Sequence, residues 1–169
     1  MSSVSSALQR FRDQPAPPEG VSGNPFKLSS TLHEPATASE VEEAWPSRRL
    51  PAQLVEAWSS TREANLFEDV DYGQWGLVLL SPTASAERTS KELQARPATY
   101  RTDDLVIGEF LGDQELLVLA GSEGGGGQVL VALPLDDRAD WYVVAEDLAE
   151  FLASYFRHAG EKFWESPAT

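Results

Sequence analysis

The residues best suited to binding chemistry lie close together in one stretch, Leu66-Phe-Glu-Asp-Val-Asp-Tyr-Gly-Gln-Trp75. Three acids are interspersed there with three aromatic residues, in a segment that we expect to form a loop. Aromatic anchors beside charges are typical of protein interfaces. The predicted partner-binding residues are Phe67, Glu68, Asp69, Asp71, Tyr72 and Trp75. The alternative is that Phe67 and Trp75 belong to the core and that the acids only face solvent.

Two other segments invite a functional interpretation. Three acids lie in the turn-rich link between two predicted strands, and we expect them to be an ordinary solvated connection. They are Asp136, Asp137 and Asp140. Gly124 to Gly127 has the glycine content of a phosphate-binding loop, but no Lys-Ser/Thr pair follows it, and no helix follows to supply an N-terminal dipole. We expect a flexible hairpin loop there.

Neither the histidines nor the carboxylates suggest a catalytic site. His33 and His158 are the only histidines, and neither belongs to a Ser/His/Asp pattern. With 27 acids in 169 residues, carboxylates fall near one another by abundance alone, so none is credited as an acid/base pair or a metal site. The absence of Cys excludes disulfides and Cys-ligated metals. The sequence therefore predicts a protein that is not an enzyme and needs no cofactor or metal.

The net charge restricts the classes of partner. Lys and Arg number 13 against 27 Asp and Glu, a net charge of −14 at pH 7, and residues 1–35 carry none of this excess. Nucleic acid and anionic membranes are not expected ligands, because binding either one depends on cations. The acidity serves solubility or attracts a basic protein partner. We also expect a cytoplasmic protein, since the N-terminus lacks a secretion signal and no segment approaches the ~18 apolar residues of a membrane span.

The elements that must position these residues begin after a Pro- and Ser-rich segment. Residues 1–36 are predicted to form an extended N-terminal arm, in which Val4, Leu8 and Phe11 have the spacing of one amphipathic helical turn. A first helix is predicted to begin at Ser39, with Glu42 completing a capping box. A second opens at Leu50-Pro51, and its apolar stripe is expected to face the core.

The remainder reads mainly as strands followed by one helix. The predicted strands are Trp75–Leu80, Leu105–Leu111, Glu115–Ala120, Gln128–Leu133 and Trp141–Val144. The stretch from Ser81 to Arg96 is expected to be a loop, or a loop that contains a short helix, and Gly112-Asp113 is expected to form a tight hairpin turn. Residues 146–156 form the last predicted element, an amphipathic helix. This order predicts an α+β fold in which N-terminal and C-terminal helices pack on an antiparallel-rich sheet of about five to six strands. Residues 37–165 are expected to form a single domain.

Five motifs, in this order, resemble the SUKH superfamily, the group that includes the Smi/Knr-type cell-wall-assembly regulator and many bacterial immunity proteins. The motifs are Glu40-Val-Glu-Glu-Ala-Trp45, Arg49-Leu-Pro51, Asp71-Tyr-Gly-Gln-Trp-Gly76, the hairpin from Asp104 to Asp113, and the closing strand and helix from Val143 to Phe156. The resemblance covers residues 37 to about 156. It implies an α+β domain that works by binding.

Many bacterial members of this group neutralise a cognate toxin, commonly a nuclease. The resemblance therefore implies an immunity protein that binds a toxin domain directly. An acidic surface is compatible with that role, because a nuclease attracts phosphates with positive charge. The alternative is a regulatory or scaffolding adaptor of the same fold, which would use the N-terminal arm as a tether.

Overall fold

The computed structural model describes residues 3–18, 25–121 and 127–165, and these residues form one antiparallel sheet with five α-helices. The helices are α1 (Val4–Asp13), α2 (Ala38–Ala44), α3 (Ala52–Ser60), α4 (Pro82–Ala95) and α5 (Leu148–Arg157). The strands are β1 (Leu28–Leu32), β2 (Ala64–Asp69), β3 (Leu77–Leu79), β4 (Leu105–Phe110), β5 (Leu116–Leu119), β6 (Val129–Ala132) and β7 (Tyr142–Ala145). The predicted α+β class is confirmed, and the sheet has seven strands where five to six were predicted.

The sheet is a meander in which each strand pairs with the next one along the chain, in the order β1 to β7. All six pairings are antiparallel. The β2–β3, β4–β5 and β6–β7 connections therefore emerge at one end of the sheet. The register agrees, since Leu77 pairs with both Leu66 and Phe110 near this end.

The sheet has an apolar cluster on each face. Successive residues of β4 alternate between them: Leu105 and Ile107 join the larger cluster, with α1, α3 and α5, and Val106 joins the smaller one. The smaller cluster lies under α4, where Ser85 donates to the carbonyl of Val106 and Thr89 accepts its N–H. A strand buried on both faces reads as a continuous apolar run, which β5 does along its whole length and β4 does from Leu105 to Ile107.

The N-terminal segment, expected to be an extended arm over residues 1–36, contains α1 and β1. Four side chains of α1 are buried against the larger cluster: Val4, Ala7, Leu8 and Phe11. β1 pairs with β2 at the edge of the sheet. The helical spacing in α1 is thus a core-facing stripe, and backbone pairing holds a strand too polar to predict from hydropathy. The extended-arm expectation does not describe these two elements.

Besides the expected loop from Leu66 to Trp75, which begins inside β2, three local predictions are wrong. The first capping box is Thr37 with Glu40, two residues before the predicted pair. The segment before Arg96, predicted as a loop with at most a short helix, is largely the 14-residue helix α4, which starts after the N-cap Ser81. It lacks an apolar stripe because it buries only Pro82 and small hydroxyl residues.

The third wrong prediction concerns the turn between β4 and β5. A hydrogen bond from the N–H of Phe110 to the carbonyl of Glu115 closes a loop of residues 111–114 instead of a two-residue turn. Gly112 has a φ of +96° and lies so close to the carbonyl oxygen of Gln74 that no other side chain fits there. The Gly-rich stretch lies outside the described residues except for Gly127.

Candidate partner-binding surface

The loop between β2 and β3 is held by one buried carboxylate. Asp69 is 2% exposed, and its Oδ1 accepts the backbone N–H groups of Asp71 and Tyr72 at 3.0 and 3.2 Å. Its Oδ2 accepts the N–H of Gln74 at 3.3 Å. The N–H of Gly73, where φ is +64°, donates to the carbonyl of Asp69. An aspartate that bonds the backbone residues following it fixes a turn, so this loop has one defined shape.

The structure divides the six predicted residues into two sets. Phe67, Asp69 and Trp75 face inward. Phe67 is 1% exposed, and its ring lies 5.1 Å from that of Phe11. The half-buried Trp75 donates its indole N–H to the carbonyl of Gly160 at 3.0 Å. These three residues support the surface from below.

The other three predicted residues are accessible. Tyr72 is 75% exposed and Asp71 is exposed beside it. Glu68 is half-buried and accepts a hydrogen bond from the side-chain amide of Asn65 at 2.9 Å. The sequence prediction missed Val70, which is 48% exposed next to Asp71. A signal was available in the spacing of Asp69 and Gly73, which is typical of a turn and places the residues between them at its tip.

The same end of the sheet also carries the β4–β5 and β6–β7 loops. We call eight exposed acidic, aliphatic and aromatic residues of these three loops the acidic rim. It consists of Val70, Asp71, Tyr72, Asp113, Leu135, Asp136, Asp137 and Asp140. At a strand spacing of about 4.8 Å, the points where the outer two loops leave the sheet lie about 19 Å apart. The topology thus makes the two acidic segments leave the sheet at one edge, although the Arg138–Asp104 ion pair holds the middle of the β6–β7 loop near the residue that precedes β4.

Nearby bases are neutralised by acids. Arg138, within the β6–β7 loop, forms a two-point ion pair with Asp104, whose side chain is fully buried. Lys162 is 8% exposed and binds Asp113 and Glu115, the latter at 2.8 Å. The rim therefore keeps a negative charge, and its most exposed apolar residue, Leu135 at 94%, lies within that field.

The ion cluster around Lys162 ties the C-terminal segment to the rim. Burial lowers the pKa of Lys162, but hydrogen bonds and charges from Asp113 and Glu115 outweigh that effect and leave the pKa raised. The ammonium group also lies 5.3 Å from the ring centre of Trp75. Burial raises the pKa of Glu165, and the attraction of Lys162 opposes this effect. The cluster braces two of the rim loops from behind.

The described residues also lack a candidate metal site. They contain no group of three or more His, Asp or Glu side chains placed to hold a metal ion. His158 contacts the carbonyl of Ser154 through Nδ1 and stacks on Phe163. No helix in the described ranges is long and apolar enough to cross a membrane. The geometry of the rim, with charges around exposed apolar side chains, suits binding.

Comparison with protein families matches residues 35–154 to the SMI1/KNR4 family (SUKH-1). The chain belongs to this family. The predicted SUKH resemblance is confirmed, and SUKH-1 proteins are generally binding modules without catalysis. A comparison with curated proteins gave no match. The matched interval contains all three rim loops of this SUKH-1 chain, whereas α1, β1 and the Lys162 segment lie outside it.

Proposed function

We propose that this SUKH-1 chain is a non-catalytic immunity protein that binds a basic region of a bacterial toxin through the acidic rim. The observation that carries the proposal is the Asp69-bonded loop, which presents Val70, Asp71 and Tyr72 in one fixed arrangement. A surface already in its bound shape loses little conformational entropy on binding. Exposed aromatic residues surrounded by charges are the usual centre of such contacts.

The charge of the rim favours a nuclease-type toxin. An enzyme that cleaves nucleic acid presents cations to phosphates. Carboxylates spread over about 19 Å, four strand spacings, can occupy such a surface and block it. Complementary charge would also speed encounter between the two proteins. On this proposal the protein acts in the cytoplasm, where the toxin's substrate is found.

The direct test is co-expression with a toxin encoded beside this gene. Cells should survive with the wild-type protein and die when it carries Tyr72→Ala and Asp71→Lys together. The matched control is Val55→Ala with Glu87→Lys, two exposed residues on α3 and α4. Death of cells with the wild-type protein, or survival with the rim variant at equal protein level, contradicts the proposal.

The adaptor alternative requires a different experiment from removal of the N-terminal segment. Because α1 is part of the core, a deletion of residues 1–35 would damage the fold as well as any tether. A more selective change is replacement of residues 14–18 by Gly and Ser, which leaves α1 and β1 intact. An adaptor that uses this segment should lose its partner, whereas an immunity protein that uses the rim should keep it.

A further inference from the structure

A cavity of about 170 Å³ lies on the α4 side of the sheet, next to the β4–β5 and β6–β7 loops, and none of the acidic-rim residues lines it. Its polar walls come from three places. Arg88, Glu92 and Arg96 lie four residues apart along α4 and its C-cap, so they share one helix face. Tyr100 follows in the next segment, and Gln114 projects from the β4–β5 loop. The floor is apolar.

Tyr100 is the unusual member of this lining. The residue is 4% exposed, and its ring packs 4.9 Å from that of Trp141. Its hydroxyl oxygen is buried and has no hydrogen-bond partner among the described residues. Burial raises the pKa of Tyr100, so the hydroxyl keeps its proton and can donate it. Buried polar groups without partners are rare in proteins, and each calls for an explanation.

The two arginines retain donors beyond the bonds they make within the protein. Arg88 uses Nε on Glu92 at 3.1 Å and Nη1 on Glu109 at 2.6 Å. Arg96 donates through Nη1 to the carbonyl of Leu133 at 3.0 Å and through Nη2 to that of Asp136. Since a guanidinium group has five N–H donors, both still have N–H groups for a ligand. The lining thus contains two positive charges and the negative charge of Glu92, while Glu109, outside the lining, also pairs with Arg88.

We propose that this cavity binds a small monoanionic carboxylate. A volume of about 170 Å³ corresponds to roughly five or six waters at ~30 Å³ each, which suits acetate or formate and is too small for a nucleotide. The carboxylate accepts from the Tyr100 hydroxyl and from the free arginine N–H groups, a pairing that suits guanidinium geometry. Glu92 repels a second negative charge, so a phosphate dianion is the poorer ligand.

The test is an NMR titration of the full chain with sodium acetate at pH 7, against sodium chloride at the same ionic strength. Saturable shifts specific to acetate should appear in residues 88–100, 114–116 and 132–134. Tyr100→Phe should weaken acetate binding about tenfold, the effect of losing one hydrogen bond to a charged ligand. The matched control, Tyr142→Phe on β7, should leave the dissociation constant unchanged.

Two further measurements should give changes in affinity of opposite direction. Glu92→Gln keeps a hydrogen-bonding side chain but removes the negative charge, so acetate should bind several-fold more tightly. Inorganic phosphate should bind more weakly than acetate to the wild-type protein. Shifts that rise linearly with acetate, an unchanged constant in Tyr100→Phe, weaker binding in Glu92→Gln, or tighter binding of phosphate would each overturn the assignment.

Discussion

The carboxylate oxygen Oδ1 of Asp69 accepts the backbone N–H of Tyr72 at 3.2 Å, so a buried acid fixes the backbone of the most exposed aromatic side chain of the β2–β3 loop. Phe67 and Trp75 anchor the two ends of the same loop in the core. The loop therefore combines a rigid base with an accessible tip. This arrangement separates residues that shape the surface from residues that would touch a partner.

Asp69→Ala should destabilise the protein by about 1–3 kcal/mol, because three backbone N–H groups lose a buried acceptor. Urea unfolding measures this change. The matched control is Asp71→Ala, which removes an exposed carboxylate and should change the free energy of unfolding by less than about 0.5 kcal/mol. Equal effects of the two changes would show that the Asp69 bonds do not hold the loop.

Tyr72→Ala should weaken binding to the toxin by about 2 kcal/mol or more, the loss typical of an interface hot spot, while leaving stability unchanged. Calorimetric titration of the purified proteins gives the affinity. Val143→Ala, at an exposed apolar residue of β7, serves as the control and should bind like the wild type. A full-strength complex with Tyr72→Ala would remove the β2–β3 loop from the interface.

Asp71→Lys with Asp137→Lys should slow association by about tenfold or more and reduce its dependence on salt, since exposed charges act mainly by steering the encounter. Stopped-flow kinetics at several salt concentrations measure both quantities. Glu43→Lys with Glu87→Lys changes the net charge equally at exposed positions of α2 and α4. If both double variants slow association alike, net charge and not the rim governs the encounter.

Lys162→Met should destabilise the protein by about 3 kcal/mol, because it leaves the buried carboxylate of Glu115 without its cation. Adding Glu115→Gln should restore part of this loss. The folded-state pKa of Lys162 lies above its unfolded value of about 10.4. The difference in unfolding free energy between wild type and Lys162→Met therefore has its full size at pH values below the unfolded-state pKa of Lys162. It disappears as the pH rises through the folded-state pKa. A difference that persists in strong alkali would contradict this account of the cluster.

Phe11→Ala should destabilise the protein by about 3–5 kcal/mol, as expected for loss of a fully buried aromatic ring. Chemical unfolding measures the change. Gln9→Ala, at an exposed position of the same helix, should have almost no effect. A small effect of Phe11→Ala would mean that α1 is not part of the folded core in solution.

The sequence predicted the elements that bury apolar residues in a regular period. Leu54, Ala57 and Trp58 of α3 and Leu148, Phe151 and Leu152 of α5 face the core as their spacing indicates. β1 and α4 escaped prediction because hydroxyl groups and backbone pairing hold them in place. Neither kind of contact leaves a hydropathy pattern.

The candidate surface was predictable only in part. Composition identified the loop, yet Phe67 and Asp69 point inward, because a positive φ at Phe67 breaks the alternation of β2. Asp71 and the loop of Asp136 and Asp137 leave the sheet at one edge because of the order of its seven strands. The sequence did not reveal two of these strands, β1 and β2. The pairing of Lys162 with Glu115 links residues 47 apart and leaves no local signal.

Amide hydrogen exchange of the protein with and without the toxin's catalytic domain tests the central claim most directly. If the acidic rim is the binding surface, amide exchange in the complex should be slower at residues 70–74, 111–114 and 134–140. The exchange rates of α2 and α4 should not change. Protection confined to the helices, with these three loops exchanging as in the free protein, would contradict it.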